Sequence, residues 1–222
     1  MKVTQSVPGL LGWMGIMWLI MAAVSGVAVA ADEPLAPPQQ VIQKTADQLQ
    51  VSLQKPEYKT NFKKATALVD QIINPHIDFD RVAILVLGKH WRTATPVQKE
   101  RFKQEFRMLL VRTYTTAFTE YSDWKIRYLP LEKDASDKKT MVKTEILQSS
   151  GQPVAINYRM VHEGDDWKVY DVLIEGISLL QNYRTSFNEE IEQTGSLDQL
   201  ISHLAERNKG AMREPVGGKT GS

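Results

Sequence analysis

Apolar residues recur every three to four positions through the first half of the chain after residue 40, which is the spacing of amphipathic helices. The spacing predicts a first helix with an apolar stripe over 41–53, and Pro37 and Pro38 are placed where it can begin. It also predicts helices over 60–74 and 78–88, and a long helix from Pro96. The start of the long helix is the clearest in the chain. Thr95 is a good N-cap, Pro96 fits the first helical position, and Gln98 completes a capping box.

Beyond residue 123 the apolar period changes to two, which is typical of strands with one buried face. Four strands are predicted, over 124–131, 141–148, 154–163 and 167–175. Short runs of turn-forming residues separate them, so we expect an antiparallel meander. The helical period returns after Gly176, and Gly195 and Ser196 mark the boundary between two last helices.

This order of elements indicates the fold class. A run of helices, an antiparallel sheet and two returning helices predict an α+β fold. We expect a curved antiparallel sheet of four strands with the helices packed on one of its faces.

The N-terminus has the pattern of a targeting segment. Lys2 precedes an apolar run that ends on Ala28, Val29 and Ala30, a small-x-small cleavage pattern, and polar residues and prolines follow. Because the run is long enough to cross a bilayer, an uncleaved anchor is the alternative. The predicted organisation is a signal peptide at 1–31, a linker at 32–40, one domain at 41–208 and a disordered tail at 209–222.

Composition narrows the function classes. The chain has 27 Lys and Arg against 26 Asp and Glu, a net charge of +1, so no basic field favours nucleic acid as a partner. It has no cysteine, which excludes thiol chemistry and cysteine-based metal sites. The four histidines lie at unrelated spacings, and no phosphate loop or nucleophile elbow is present. We therefore predict neither a metal site nor a cofactor.

One acidic residue lies within an otherwise apolar strand. Asp171 is the candidate for a general base, which would make the protein an isomerase or hydrolase of a small apolar substrate. The alternative is a structural carboxylate paired with Arg159 or satisfied by backbone donors.

Two sets of residues are candidates for binding. Large apolar side chains on the long helix, the strands and the following helix form either a closed core or a lined cavity. They are Phe102, Phe106, Leu109, Tyr114, Ile146, Ile156, Tyr158, Val169, Val172, Ile177 and Leu180. A basic row on the long helix and just before it forms either a docking patch or a solvated helix face. It consists of Arg92, Lys99, Lys103 and Arg107.

Several blocks of residues together have a recognisable pattern. In the first half they are LGKHWRTATP at 87–96, Arg101–Phe102 and LVRTY at 110–114. In the second half they are WKVYDV at 167–172, EGISL at 175–179 and NYR at 182–184. These blocks resemble the MlaC or toluene-tolerance family of periplasmic phospholipid-binding proteins, and the likeness extends over about residues 40–208.

The resemblance implies a fold and a function. The fold is related to the nuclear-transport-factor-like cone, extended by helices. The function is that of a periplasmic carrier without catalytic activity, which holds the acyl chains of a glycerophospholipid in an apolar cavity and maintains the lipid asymmetry of the outer membrane. The implied partners are an outer-membrane lipoprotein–porin complex and an inner-membrane ABC transporter with an MCE subunit. The open alternatives are an enzyme on a similar cone and an exported interaction module with a solid core.

Overall fold

The computed structural model describes residues 34–120, 124–131, 138–148 and 151–211. The predicted signal peptide lies outside these residues. Within them, the helices are α1 Pro37–Leu53, α2 Pro56–Lys59, α3 Phe62–Ile73, α4 Phe79–Leu87, α5 Lys89–Thr93, α6 Pro96–Glu120, α7 Leu179–Thr194 and α8 Leu197–Ala211. The strands are β1 Lys125–Tyr128, β2 Lys139–Leu147, β3 Val154–Glu163, β4 Asp166–Ile174 and β5 Ile177–Ser178.

Local signals set the helix ends as the sequence predicts. The capping box before α6 forms in both directions, with Gln98 N donating to Thr95 Oγ1 at 3.2 Å and Thr95 N donating to Gln98 Oε1 at 2.9 Å. Asp78 caps α4 through Arg81 N at 2.8 Å. Gly195, in the left-handed region with φ of 72°, ends α7.

The sheet is an antiparallel meander in the order β1-β2-β3-β4-β5. The α+β class is thereby confirmed, but the number of strands is five, not four. The additional strand has only two residues, Ile177 and Ser178, so no alternating pattern could mark it. A two-residue turn with positive φ at both Glu175 and Gly176 joins it to β4.

Several boundaries differ from prediction. Helix α1 begins at Pro37, where the two prolines favoured its start, so the last four residues of the predicted linker are helical. Helix α8 continues to Ala211, so the first three residues of the predicted disordered tail are also helical, and residues 212–222 lie outside the description. The short helices α2 and α5 were not predicted, since four and five residues are too few for a period to appear.

The largest apolar cluster lies among α4, α6, α7 and α8, and we call it the helical cluster. Three of its phenylalanines interlock: Phe102 stacks on Phe106 at 5.5 Å, and Phe187 meets both rings edge to face at 5.9 and 5.3 Å. Its buried members are Val82, Ala83, Val86, Leu87, Phe102, Phe106, Leu109, Phe187, Ile191, Leu200, Ile201 and Leu204.

Helix α1 runs alongside the edge strand β1 in the opposite direction. Gln39 Nε2 donates to Leu129 O at 2.9 Å, and Gln50 Nε2 donates to Trp124 O at 3.1 Å. The helical rise between the two glutamines is about 16 Å, and the strand rise between the two carbonyls is nearly the same. Two ties at matching spacing therefore hold α1 against this edge. Among the described helices, none is long and apolar enough to span a bilayer.

Candidate functional site

The strand register assigns the sheet side chains to two faces. Residues directly opposite each other on neighbouring strands share a face. One row therefore crosses all five strands on a single face: Tyr128, Thr144, Ile156, Ile174 and Ile177. Together with the rows on either side of it, this row forms what we call the apolar face. The opposite face is mixed: it includes the pairs Arg127–Glu145 and Arg159–Asp171, and also the buried Val161 and Leu173.

One end of the apolar face is closed. Val142 and Met160 are fully buried there, and Val169 is 7% exposed. They form a cluster with Ile42 of α1, and a bulge brings Val169 opposite Met160 by skipping Tyr170. We call this the covered end.

The other end of the same face is covered incompletely. Its aliphatic side chains keep part of their surface accessible, and Ile177 is 66% exposed. This open end consists of Ile126, Ile146, Val154, Ile156, Ile174 and Ile177. Exposed aliphatic residues elsewhere lie singly on different helices, as Val51 and Val97 do, which is normal for a soluble surface. A group of six neighbours on one face is unusual and makes the open end the candidate binding surface.

Three polar side chains lie between the two ends. Thr144 Oγ1 donates to Ile156 O at 2.6 Å, and the Tyr158 hydroxyl lies near Thr144. Burial raises the pKa of Tyr158 to about 12. Burial also raises the pKa of Tyr128, with smaller contributions from Tyr158 and Asp47. The middle of the face is therefore a low-dielectric environment in which these hydroxyls stay protonated.

Helix α6 changes its environment along its length. Phe102, Phe106 and Leu109 in its first half are buried in the helical cluster. Tyr114, further along the helix, is only partly buried and lies near Tyr183 of α7. Burial raises the pKa of Tyr114 to about 12. The first half of α6 thus lies in the helical cluster, whereas the second half buries Val111 against α1 and α3 and leaves Tyr114 partly accessible.

The structure brings together only part of the predicted apolar set. Ile146, Ile156, Tyr158, Val169, Val172 and Ile177 share the apolar face. Phe102, Phe106 and Leu109 lie in the helical cluster, and Leu180 packs against it. Tyr114 belongs to neither group.

Sequence reasoning did not select three residues of the open end, Ile126, Val154 and Ile174, nor Tyr128 and Thr144 beside them. Their alternation within each strand is visible in the sequence, and Ile126 and Tyr128 even define the period of β1. The missing information was the cross-strand register, which determines whether alternating residues of different strands meet on one face.

The predicted basic row is mostly engaged within the protein. Lys103 pairs with Asp80 at 2.7 Å and Glu100 at 2.8 Å, and these bonds raise its pKa. Arg107 pairs with Asp70 through both nitrogens of its fork, with Nε at 2.6 Å from Oδ1, and this bond raises its pKa.

The other two members of the basic row differ from these. The ammonium of Lys99 lies 5.1 Å from the centre of the Trp91 ring. Arg92, at the exposed end of α5, is the member of the row that remains solvated.

Asp171 is a structural carboxylate. Its side chain is 2% exposed and accepts from Arg159 Nη1 at 2.9 Å, Ser178 Oγ at 2.8 Å and Leu180 N at 3.1 Å. The Ser178 hydroxyl in turn caps α7 by accepting from Gln181 N. Asp171 therefore joins β3, β4 and the start of α7, and both of its oxygens are used.

Other possible sites in the described residues offer less. No group of three or more His, Asp or Glu side chains there is arranged to hold a metal ion. A cleft of about 350 Å³ lies between α5 and α7 and is bounded by His90, Gln98 and Glu192 among others. Another of about 570 Å³ lies between α7 and α8 beside His203 and Glu190. Their polar linings suit water better than hydrocarbon.

Comparison with known proteins identifies the family. Residues 43–206 match the model of the MlaC protein family. Toluene tolerance protein ttg2D of Pseudomonas putida is 28% identical over 191 residues, which are 84% of this chain and 86% of that protein. The intermembrane phospholipid transport system binding protein MlaC of Haemophilus influenzae is 25% identical over 198 residues, or 86% of this chain and 91% of that protein.

A solved structure agrees with the sequence relatives. A phospholipid-binding protein from Ralstonia solanacearum, in complex with a phospholipid, superposes with a TM-score of 0.74 and 31% identity. The match covers 80% of this chain and all of that one. The family model spans the helices, the sheet and the apolar face alike, so the chain belongs to the MlaC family.

Proposed function

We propose that the protein is a periplasmic phospholipid carrier that holds acyl chains against the open end of its apolar face. The observation that supports this proposal is that six aliphatic side chains on this face are incompletely covered, whereas the helical cluster of the same chain is closed. The phospholipid bound to the Ralstonia solanacearum protein supports the same ligand class.

Apolar contact is sufficient for such a carrier. Two tails of about 15 methylenes each, at about 0.8 kcal/mol per methylene, gain about 20 kcal/mol on leaving water. The lipid gains a similar amount in a bilayer, so the carrier needs only to match the membrane. No acid–base group is required, and the engagement of both Asp171 oxygens is consistent with a non-enzymatic role.

The direction of transfer must then come from docking partners. The partners we propose are an outer-membrane lipoprotein–porin complex and an inner-membrane ABC transporter with an MCE subunit, as in an intermembrane transport system. Arg92 is the best candidate in the basic row for contact with an acidic partner, because Lys103 and Arg107 are already paired.

Export is part of the proposal. The apolar segment before Asp32 and its small-residue ending support a cleaved signal peptide. N-terminal sequencing of protein from the periplasmic fraction should begin at Ala31 or Asp32. Full-length protein in the membrane fraction would instead establish the anchor.

The proposed position of the lipid on the open end can be tested with two neighbouring residues on β3. Ile156 lies on the apolar face, and Asn157 lies on the opposite face, paired with Lys143. Ile156→Glu would set a carboxylate against hydrocarbon, which is unfavourable unless the group takes up a proton. Asn157→Glu introduces the same group without touching the lipid.

The measurement is the phospholipid phosphate recovered per mole of folded protein purified from cells. We expect wild type and Asn157→Glu to carry lipid and Ile156→Glu to carry little. Lipid-free wild type would refute the carrier function. Equal amounts of copurified phospholipid on both variants would show that the lipid binds elsewhere on the protein.

A further inference from the structure

One buried hydroxyl on the apolar face lacks a hydrogen-bond partner. The Tyr128 oxygen exposes less than 1 Å² and is bonded to nothing in the described part of the chain. Buried tyrosine hydroxyls normally find a partner, because leaving one unsatisfied is unfavourable. The Tyr128 hydroxyl is therefore available to a hydrogen-bond acceptor from outside the chain.

The neighbouring hydroxyls do not supply the partner. The Thr144 hydroxyl donates to Ile156 O at 2.6 Å, and neither it nor the Tyr158 hydroxyl forms a hydrogen bond with the Tyr128 oxygen. The Tyr128 proton therefore remains available beside the aliphatic side chains of the open end.

The charge beside Tyr128 selects the kind of acceptor. The Asp47 carboxylate of α1 is close enough to contribute to the raised pKa of Tyr128. A second anion, such as a lipid phosphate, would be repelled there. A neutral carbonyl oxygen meets no such penalty and accepts well from a phenol.

The position of Tyr128 agrees with that choice. Its row also contains Ile156, Ile174 and Ile177 of the open end, and its ring packs against the cluster that α1 covers. A group bound at this hydroxyl is therefore continuous with the aliphatic surface on one side and enclosed on the other. In a glycerophospholipid, the acyl ester lies at the corresponding junction of the hydrocarbon chains with the polar part.

We propose that the Tyr128 hydroxyl donates a hydrogen bond to an acyl ester carbonyl oxygen of the bound lipid. The inference rests on the proposed carrier function and deepens it, because it gives the lipid a fixed register on the apolar face. It also makes the carrier selective for ester-linked over ether-linked chains, since an ether linkage has no carbonyl.

The test compares two lipids on two proteins. Delipidated wild type and Tyr128→Phe are titrated with a diacyl phosphatidylglycerol and with its dialkyl ether analogue of equal chain length. Wild type should bind the diester about 2- to 12-fold more tightly, the range of one net hydrogen bond. Tyr128→Phe should bind the two lipids equally, and its affinity for the ether should match that of wild type.

A matched control is available in Tyr58→Phe. Tyr58 is a partly buried tyrosine packed against the cluster formed by α1, α3 and Val111, and its loss of a hydroxyl should leave the ester preference intact. Because Phe keeps the ring, all three proteins should fold, and Tyr128→Phe should melt no lower than wild type in the absence of lipid.

The outcomes separate the two proposals. An equal affinity of wild type for both lipids, or an ester preference retained in Tyr128→Phe, would overturn the ester contact while leaving the carrier function in place. A similar loss of affinity for both lipids in Tyr128→Phe would also overturn it and would indicate a contact with the phosphate. Absence of binding of either lipid to wild type would refute the carrier function itself.

Discussion

The helical cluster and the open end of the apolar face are built from the same kinds of side chain, yet they have opposite accessibility. Four helices surround the cluster, and its rings interlock at centroid distances of 5.3 to 5.9 Å. At the sheet, α1 buries Val142, Met160 and Val169 but leaves the aliphatic side chains beyond them partly accessible.

This difference divides stability from binding. A close-packed cluster cannot accept a ligand without opening, because each side chain already has apolar neighbours on all sides. An incompletely covered face can gain those contacts from an acyl chain. The helical cluster therefore stabilises the fold, and the apolar face keeps the accessible hydrophobic surface on which we propose that the lipid binds.

The largest difference between the two regions is expected when one isoleucine in each is truncated to alanine. Ile201 is fully buried in the helical cluster, whereas Ile146 is partly exposed on the open end. Ile201→Ala should lower the free energy of unfolding by about 3–4 kcal/mol, because it loses burial and leaves a cavity. Ile146→Ala should lower it by about 1 kcal/mol in delipidated protein. Urea denaturation of both variants measures the difference.

Lipid retention should follow the opposite order. Ile146→Ala should reduce the phospholipid that copurifies, and folded Ile201→Ala should keep the wild-type amount. If the two substitutions lower the free energy of unfolding equally and reduce the copurified phospholipid equally, the two regions do not have separate roles in stability and binding.

Asp171→Asn tests the hydrogen bonds that connect strands β3 and β4 to the start of α7. Replacing the carboxylate weakens its bonds with Arg159 and Ser178, and we expect a loss of about 2 kcal/mol of stability, in the range of hydrogen bonds to charged groups. Lipid content should not change. The exposed Asp166→Asn on the same strand is the control and should stay within about 0.5 kcal/mol of wild type. Loss of a hydrolytic or isomerase activity in folded Asp171→Asn would revive the enzyme alternative.

Alkaline pH probes the apolar face through Tyr158. Burial raises its pKa to about 12, so above pH 10 the unfolded chain releases this proton before the folded chain does. Stability is fully present below pH 10 and should fall as the pH rises from 10 to 12, by at most about 1.4 kcal/mol per pH unit for this group.

Tyr158→Phe isolates that contribution. Denaturation at pH 9 and pH 11 should show a smaller decrease for the variant than for wild type. An identical decrease in the free energy of unfolding of both proteins would mean that Tyr158 ionises as freely as in the unfolded chain. The middle of the apolar face would then be accessible to water.

The basic row should have the smallest effect. Lys103→Gln removes bonds to Asp80 and Glu100, both on exposed side chains, and should cost about 0.2–1 kcal/mol, less at high salt. Arg92→Gln should leave stability and lipid content unchanged. A loss of copurified lipid in either variant would show that the row contacts the ligand rather than solvent.

Much of this fold follows from local signals. The Thr95–Gln98 capping box fixes the start of α6, and the change of period near residue 123 places the sheet. The bounds predicted for β3, residues 154–163, are those observed. Strand β5 was not predicted, because two residues are too few to show an apolar period. Its pairing with β4 depends on the positive-φ turn at Glu175 and Gly176.

The site was harder to predict than the fold. Phe106 and Ile156 are equally apolar, and nothing local tells that the first is enclosed by three other helices and the second is left partly accessible. That property depends on register and on which helix reaches which part of the sheet. Asp171 shows the converse, because its pairing with Arg159 was accessible from the alternation of neighbouring strands.

The most direct test observes where the acyl chains lie. Protein labelled at isoleucine methyl groups is loaded with a phospholipid that carries a nitroxide within one acyl chain, and paramagnetic broadening is read at each isoleucine. We expect strong broadening at Ile146, Ile156 and Ile174 on the open end, and none beyond background at Ile191 and Ile201 in the helical cluster. Broadening at Ile191 and Ile201, with the sheet isoleucines unaffected, would contradict the account.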